Sequence, residues 1–235
     1  MEDAEFYYLG RNLDNEVYYQ HYNGGGGKIK QVESITGYNQ DWFNKYCNGN
    51  GDKPIPDDEP IHDYYIYNPR YKFVDWINGT ASFPSSGMIF SKGIMDVLKK
   101  YKIDIHKIYP TIWERRGVMV PDYYYHLQLF GDQCDHIDFE NSLFDIRKKY
   151  GNHELVESNV KIKDTSELVE FWKGTNEVEL IGKSVTLKGE QLDLFQISIL
   201  GWWGPIVTKV LKEELESISD SFHFIGPIQW LNSFI

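Results

Sequence analysis

The chain has 235 residues, of which 41% are hydrophobic and 16% aromatic, and its 24 lysines and arginines against 35 aspartates and glutamates leave a net charge of −11. This much apolar material excludes a disordered chain. This much negative charge works against nucleic-acid phosphates and anionic lipid surfaces and suits a cationic partner, although acidity also serves plain solubility.

Taken in chain order, Phe6-Tyr7-Tyr8-Leu9 and Val17-Tyr18-Tyr19-Gln20-His21-Tyr22 read as strands, because aromatic and β-branched side chains suit a pleated, half-buried surface. Asn23 and Gly24 to Gly27 break the pattern as a loop. The segment Asn48 to Pro60, rich in Gly, Pro and Asp, reads as an exposed acidic loop, and strands resume at Tyr64–Tyr67 and Tyr71–Val74. Ser91 caps a predicted helix with Ile94, Val97, Leu98 and Tyr101 on one face. A strand through Ile103, Ile105 and Ile108 ends at Pro110, and Tyr123–Phe130 forms another. Ser142-x-x-Asp145 predicts a helix with Leu143, Ile146 and Tyr150 inward and Gly151 as its stop. Asp164-x-x-Glu167 predicts the next helix, with Leu168, Phe171 and Trp172 inward and Gly174 as its stop. Short strands follow at Val178–Ile181 and Val185–Leu187, then a buried strand over Leu192–Ile199. Gly204-Pro205 opens the last predicted helix, with Val207, Leu211, Leu215 and Ile218 on its buried face, before a strand at Phe222–Ile225.

One segment occurs twice. Phe90-Ser91 with its helix leads to Ile108-Tyr109-Pro110 and Trp113, and Trp203-Gly204 with its helix leads to Ile225-Gly226-Pro227 and Trp230. Matching Val97 with Val210 and Leu98 with Leu211 offsets the helices by 113 positions. Pro110 with Pro227 and Trp113 with Trp230 are offset by 117, which implies four extra residues after the second helix.

These segments, from Asp193-Leu194-Phe195 to Pro227-Ile228-Gln229-Trp230 and from Phe90-Ser91 through Tyr123-Tyr124-Tyr125, resemble the immunity proteins of bacterial polymorphic toxin systems. The resemblance covers about Tyr64 to Trp230. It implies a cytoplasmic antidote that binds a cognate toxin stoichiometrically, with no catalytic residue; no metal or cofactor is expected either. The N-terminal aromatic region through His62 matches nothing in the family.

Other motifs carry weaker chemistry. Gly24-Gly25-Gly26-Gly27-Lys28 lacks the first glycine and the following hydroxyl of a phosphate loop. Cys134-Asp135-His136-Ile137-Asp138 would place Cys134, His136 and Asp138 on one face of a strand, a three-ligand metal set or a thiol–imidazole pair. That cluster supports an alternative reading as a metal-assisted hydrolase, and the plainer reading is an acidic loop. Asp57, Asp58, Glu59, Asp132, Asp135, Asp138 and Glu140 form two acidic loops that would complement a basic toxin face, with Trp202 as an aromatic anchor. A general protein-interaction domain is the remaining alternative.

The two cysteines, Cys47 and Cys134, form no CxxC pair, in keeping with a reducing compartment. The acidic start Met1-Glu2-Asp3-Ala4-Glu5 is unlike a signal peptide, and no apolar stretch reaches the roughly 20 residues that cross a bilayer. The expectation is a cytoplasmic α+β protein with mixed sheets, about four helices and two similar strand-helix-strand units. Residues 1–62 carry the aromatic strands and acidic loop as part of the same globule, 63–150 the first repeat and 151–235 the second.

Overall fold

A computed structural model describes residues 5–11, 30–31, 54, 56–57, 64–66, 75–78, 87–110, 112–115, 117–120, 123–130, 133–174, 177–197 and 205–234. The fold is mixed α+β and mostly sheet. Among the described residues it has three α-helices: α1 (Lys92–Leu98), α2 (Thr165–Gly174) and α3 (Lys209–Ile218). The chain divides into two units, one of residues 1–10, 131–214 and 224–235, the other of residues 11–130 and 215–223.

In the first unit, β1 (Phe6–Arg11) runs antiparallel to β14 (Ile206–Thr208), in the sheet order β13 (Leu194–Phe195), β14, β1, β15 (Phe222–Ile225, whose residues 222–223 group with the second unit). The aromatic run makes a central strand because Phe6, Tyr8 and Leu9 are all buried. A second sheet runs β11 (Leu155–Val160), β10 (Leu143–Lys148), β12 (Val178–Leu187), β16 (Leu231–Phe234). The core of this unit gathers Phe6, Ile137, Phe144, Leu168, Val185 and Phe195. Each side chain of this size contributes about 1.5–3 kcal/mol when fully buried.

In the second unit, β5 (Gly87–Ser91), α1 and β6 (His106–Pro110) form a strand-helix-strand unit. Its sheet order is β4 (Trp76–Asn78), β5, β9 (Tyr124–Leu129), β6. Both β5 and β6 are antiparallel to β9, hence parallel to each other. Trp76, Phe90 and Phe222 pack ring on ring, with centroids 5.3 to 6.1 Å apart. The other sheet of this unit runs β2 (Lys30–Gln31), β3 (Tyr64–Ile66), β7 (Ile112–Arg115), β8 (Val118–Val120).

Several expectations change. The segment opened by Ser142 is strand β10, paired on both sides, so the fold has three described helices against about four expected. The Ser142 hydroxyl caps no helix. It donates to the Asp138 carbonyl at 2.6 Å and accepts the Thr186 amide at 3.0 Å, which ties it to the neighbouring strand. Gly151 ends no helix; it lies between β10 and β11 at φ 86°. The last helix starts at Lys209, because residues 206–208 are held in the sheet by β1 and β13. Val207 is therefore buried in a strand, and Ile218 is 47% exposed, while Leu211 and Leu215 are buried as expected. In α1, Met95 is buried and Val97 is only half-buried.

The two short strands expected at Val178 and Val185 are one strand, and the strand expected over 192–199 is reduced among the described residues to Leu194–Phe195. The helix expected at Asp164 forms, with Leu168 buried, Phe171 half-buried and Gly174 as its last residue, while the Trp172 side chain lies outside the described ones. Asp164 accepts the Glu167 amide at 3.0 Å and Glu167 accepts the Lys163 amide at 2.6 Å, closing the helix N-terminus at both ends of the motif. The strands expected at Val17–Tyr22 and Tyr71–Val74 and the glycine loop lie outside the described residues.

The four-residue insertion also disappears. Aligned by the junction of strand and helix, Lys92 matches Lys209, an offset of 117 that then holds through Pro110/Pro227 and Trp113/Trp230. Ile94 and Leu98 match Leu211 and Leu215, and all four are buried.

Candidate protein-binding surface

The hairpin of β10 and β11 grows from an alternating pattern. Phe144 and Ile146 pack on the core, while Asp145 and Arg147 lie on the opposite face of the strand. The pairing shifts register between Phe144 and Asp145 and again between Ile146 and Arg147, so β11 is bulged along its length. Asn159 takes the shift with a left-handed φ of 61°, a conformation asparagine tolerates.

A polar network holds this bend. Asp145 accepts the Ser158 hydroxyl at 2.7 Å, and the Lys183 ammonium donates to Ser158 Oγ and Asn159 Oδ1 at 2.8 Å each. Near the tip, Lys148 and Glu154 pair at 2.6 Å. That contact raises the pKa of the lysine and lowers that of the carboxylate, chiefly through the hydrogen bond between them.

Three large apolar side chains remain exposed on this hairpin: Tyr150 at 71%, Leu155 at 49% and Val156 at 55%. β11 is also a sheet edge, with β10 as its one neighbour among the described strands. An edge strand presents backbone donors and acceptors on its outer side, and exposed apolar groups beside it supply contact area. The arrangement suits binding an extended protein segment.

The residues singled out from sequence are distributed differently. Asp57 is exposed in the second unit and meets Lys107 at 2.6 Å. Asp138 and Glu140 share one turn of the first unit. Asp138 accepts the side-chain and backbone amides of Asn141 at 2.8 and 3.2 Å, and the side-chain bond holds its carboxyl below the usual range. The Glu140 carbonyl accepts the Lys161 ammonium at 2.6 Å. Asp135 lies in a 3-10 turn over Gln133–His136. Asp58, Glu59, Asp132 and Trp202 lie outside the described residues.

That 3-10 turn also removes the shared strand face proposed for Cys134, His136 and Asp138. Cys134 is buried in the core, while His136 and Asp138 are only half-buried. No group of three His, Cys, Asp or Glu side chains with metal-binding geometry occurs among the described residues.

The hairpin was missed because Ser142-x-x-Asp145 has the form of a helix start. Two features pointed to it. Lys148-Lys149-Tyr150-Gly151-Asn152 is a turn-like interruption, and Leu155-Val156 resumes the apolar pattern after it. No described helix is long and apolar enough to cross a membrane. No family model matches the chain, and no curated protein does.

Proposed function

We propose that the chain is a cytoplasmic immunity protein that binds a cognate bacterial toxin, of basic surface, and neutralises it by stoichiometric occlusion without turnover. The observation that carries the binding reading is the exposed Tyr150, Leu155 and Val156 on an edge hairpin. Partner contacts draw most of their affinity from a few such apolar and aromatic side chains. The net charge of −11 supports a basic partner, because opposite fields speed encounter. The toxin assignment itself rests on the resemblance of the repeated segments. Co-expression with the toxin encoded beside this chain tests it: rescue of growth and a one-to-one complex are expected. Toxicity that persists, with no complex on copurification, would sink the reading.

A further inference from the structure

The repeat extends beyond the segment that first reveals it. At an offset of 117, residues 87–113 and 204–230 share eight identities in 27 positions, among them Gly87/Gly204, Lys92/Lys209, His106/His223 and Trp113/Trp230. The hydrogen bonds at the strand-helix junction repeat as well. Ser91 N donates to the Asp75 carbonyl at 2.9 Å and Ser91 Oγ to Asp75 Oδ1 at 2.5 Å. Thr208 N donates to the Asp193 carbonyl at 3.1 Å and Thr208 Oγ1 to Asp193 Oδ1 at 2.9 Å.

The first strands match too, but in a crossed sense. β9 opposes β5 with Tyr124 across from Ser91 and Tyr125 across from Phe90. β1 opposes β14 with Phe6 across from Thr208 and Tyr7 across from Val207. The first helical amide repeats the same bond, from Lys92 to the Tyr123 carbonyl at 2.8 Å and from Lys209 to the Glu5 carbonyl at 2.9 Å. Phe6 and Tyr124 therefore occupy equivalent places 118 residues apart. By sequence β1 opens the first copy and β9 opens the second. Yet β1 lies in the sheet of β14, and β9 lies in the sheet of β5.

We infer that the chain is a tandem duplication of a module of 117–118 residues whose two first strands are reciprocally exchanged. Residues 215–223 aside, which group with 11–130, each unit is built from the body of one copy and the opening strand of the other, which is why residues 1–10 group with 131–214 and not with 11–130. This is the arrangement of a strand-exchanged dimer written into one polypeptide.

Zero-length carbodiimide coupling of the unaltered protein tests the exchange. Glu5 and Lys209 form an ion pair at 3.0 Å, and Lys92 is the equivalent lysine of the other copy. Peptide mapping of the monomer should recover a Glu5–Lys209 link. A Glu5–Lys92 link would return each strand to its own copy and overturn the inference. So would a Glu5–Lys209 link found only in a covalent dimer, because the strand would then come from a second chain. Paired cysteines give an independent reading. Facing residues of a hydrogen-bonded antiparallel pair lie about 5.5 Å apart at Cα, within disulfide reach. Tyr7→Cys with Val207→Cys should oxidise to an intrachain disulfide, and Tyr7→Cys with Phe90→Cys should not. The reverse pattern, or a folded protein that forms neither disulfide nor coupled link, rejects the exchange.

Discussion

Phe6 is 1% exposed and meets Phe195 edge to face at 5.7 Å, so much of the hold on β1 rests on one ring. Phe6→Ala is expected to cost about 3–5 kcal/mol, from lost burial plus the cavity left behind, read as a lowered urea midpoint. His126 is fully buried on β9 with its ring edge-on to Tyr109, and burial pulls its pKa from 6.5 down to about 3. The unfolded chain takes up a proton below about 6.5 that the folded chain refuses until about 3. This part of the stability is therefore complete above that window and is lost as pH falls through it, at up to about 1.4 kcal/mol per pH unit. Urea melts of the wild type between neutral and mildly acidic pH should show that slope, and His126→Leu should flatten it. At the hairpin, Tyr150→Ala removes a side chain that is 71% exposed. It is expected to leave the melting temperature nearly unchanged and to weaken the proposed toxin complex tenfold or more, about 1.4 kcal/mol by titration calorimetry.

At the scale of elements, helix α2 and strand β10 show the same sequence signal with opposite outcomes. Both are preceded by a hydroxyl or carboxyl side chain with an acid three positions on. At Asp164 the carboxylate accepts the Glu167 amide while Glu167 accepts the Lys163 amide, and Asp164→Ala should cost about 1 kcal/mol in denaturant melts. At Ser142 the hydroxyl is taken by Asp138 and Thr186, and the segment gains two strand partners, β11 and β12. Packing of that sheet also fixes Gly182. A Cβ there would lie 2.6 Å from the Trp230 ring and 2.9 Å from Val185 Cγ2. Gly182→Ala is accordingly expected to destabilise the protein by about 1–3 kcal/mol, measured by the same melts.

At the scale of the whole molecule, the charge of −11 acts over distances that individual contacts do not. Association with the proposed basic toxin should slow as salt is raised while dissociation changes little, because screening weakens encounter more than close apolar contact. Stopped-flow or surface-plasmon rates at low and high ionic strength measure both; a salt-independent on-rate would argue against a basic partner.

The mixed α+β class, the central aromatic strands and two of the helix faces were legible in sequence, because local pattern alone specifies them. Phe6, Tyr8 and Leu9 suit a strand wherever that strand pairs, and Leu211 and Leu215 lie one helical turn apart whatever they pack on. The duplication was legible too, though Val97 against Val210 is a chance match that shifted the helices by four residues. Only tertiary structure put the helices in register, through the shared aspartate bonds of Ser91 and Thr208. The apolar hairpin and the crossing of β1 and β9 were likewise decided in three dimensions. Sequence specifies which residues can form a strand. Which sheet receives it depends on strand partners about 200 residues away along the chain, as Phe6 and Thr208 are.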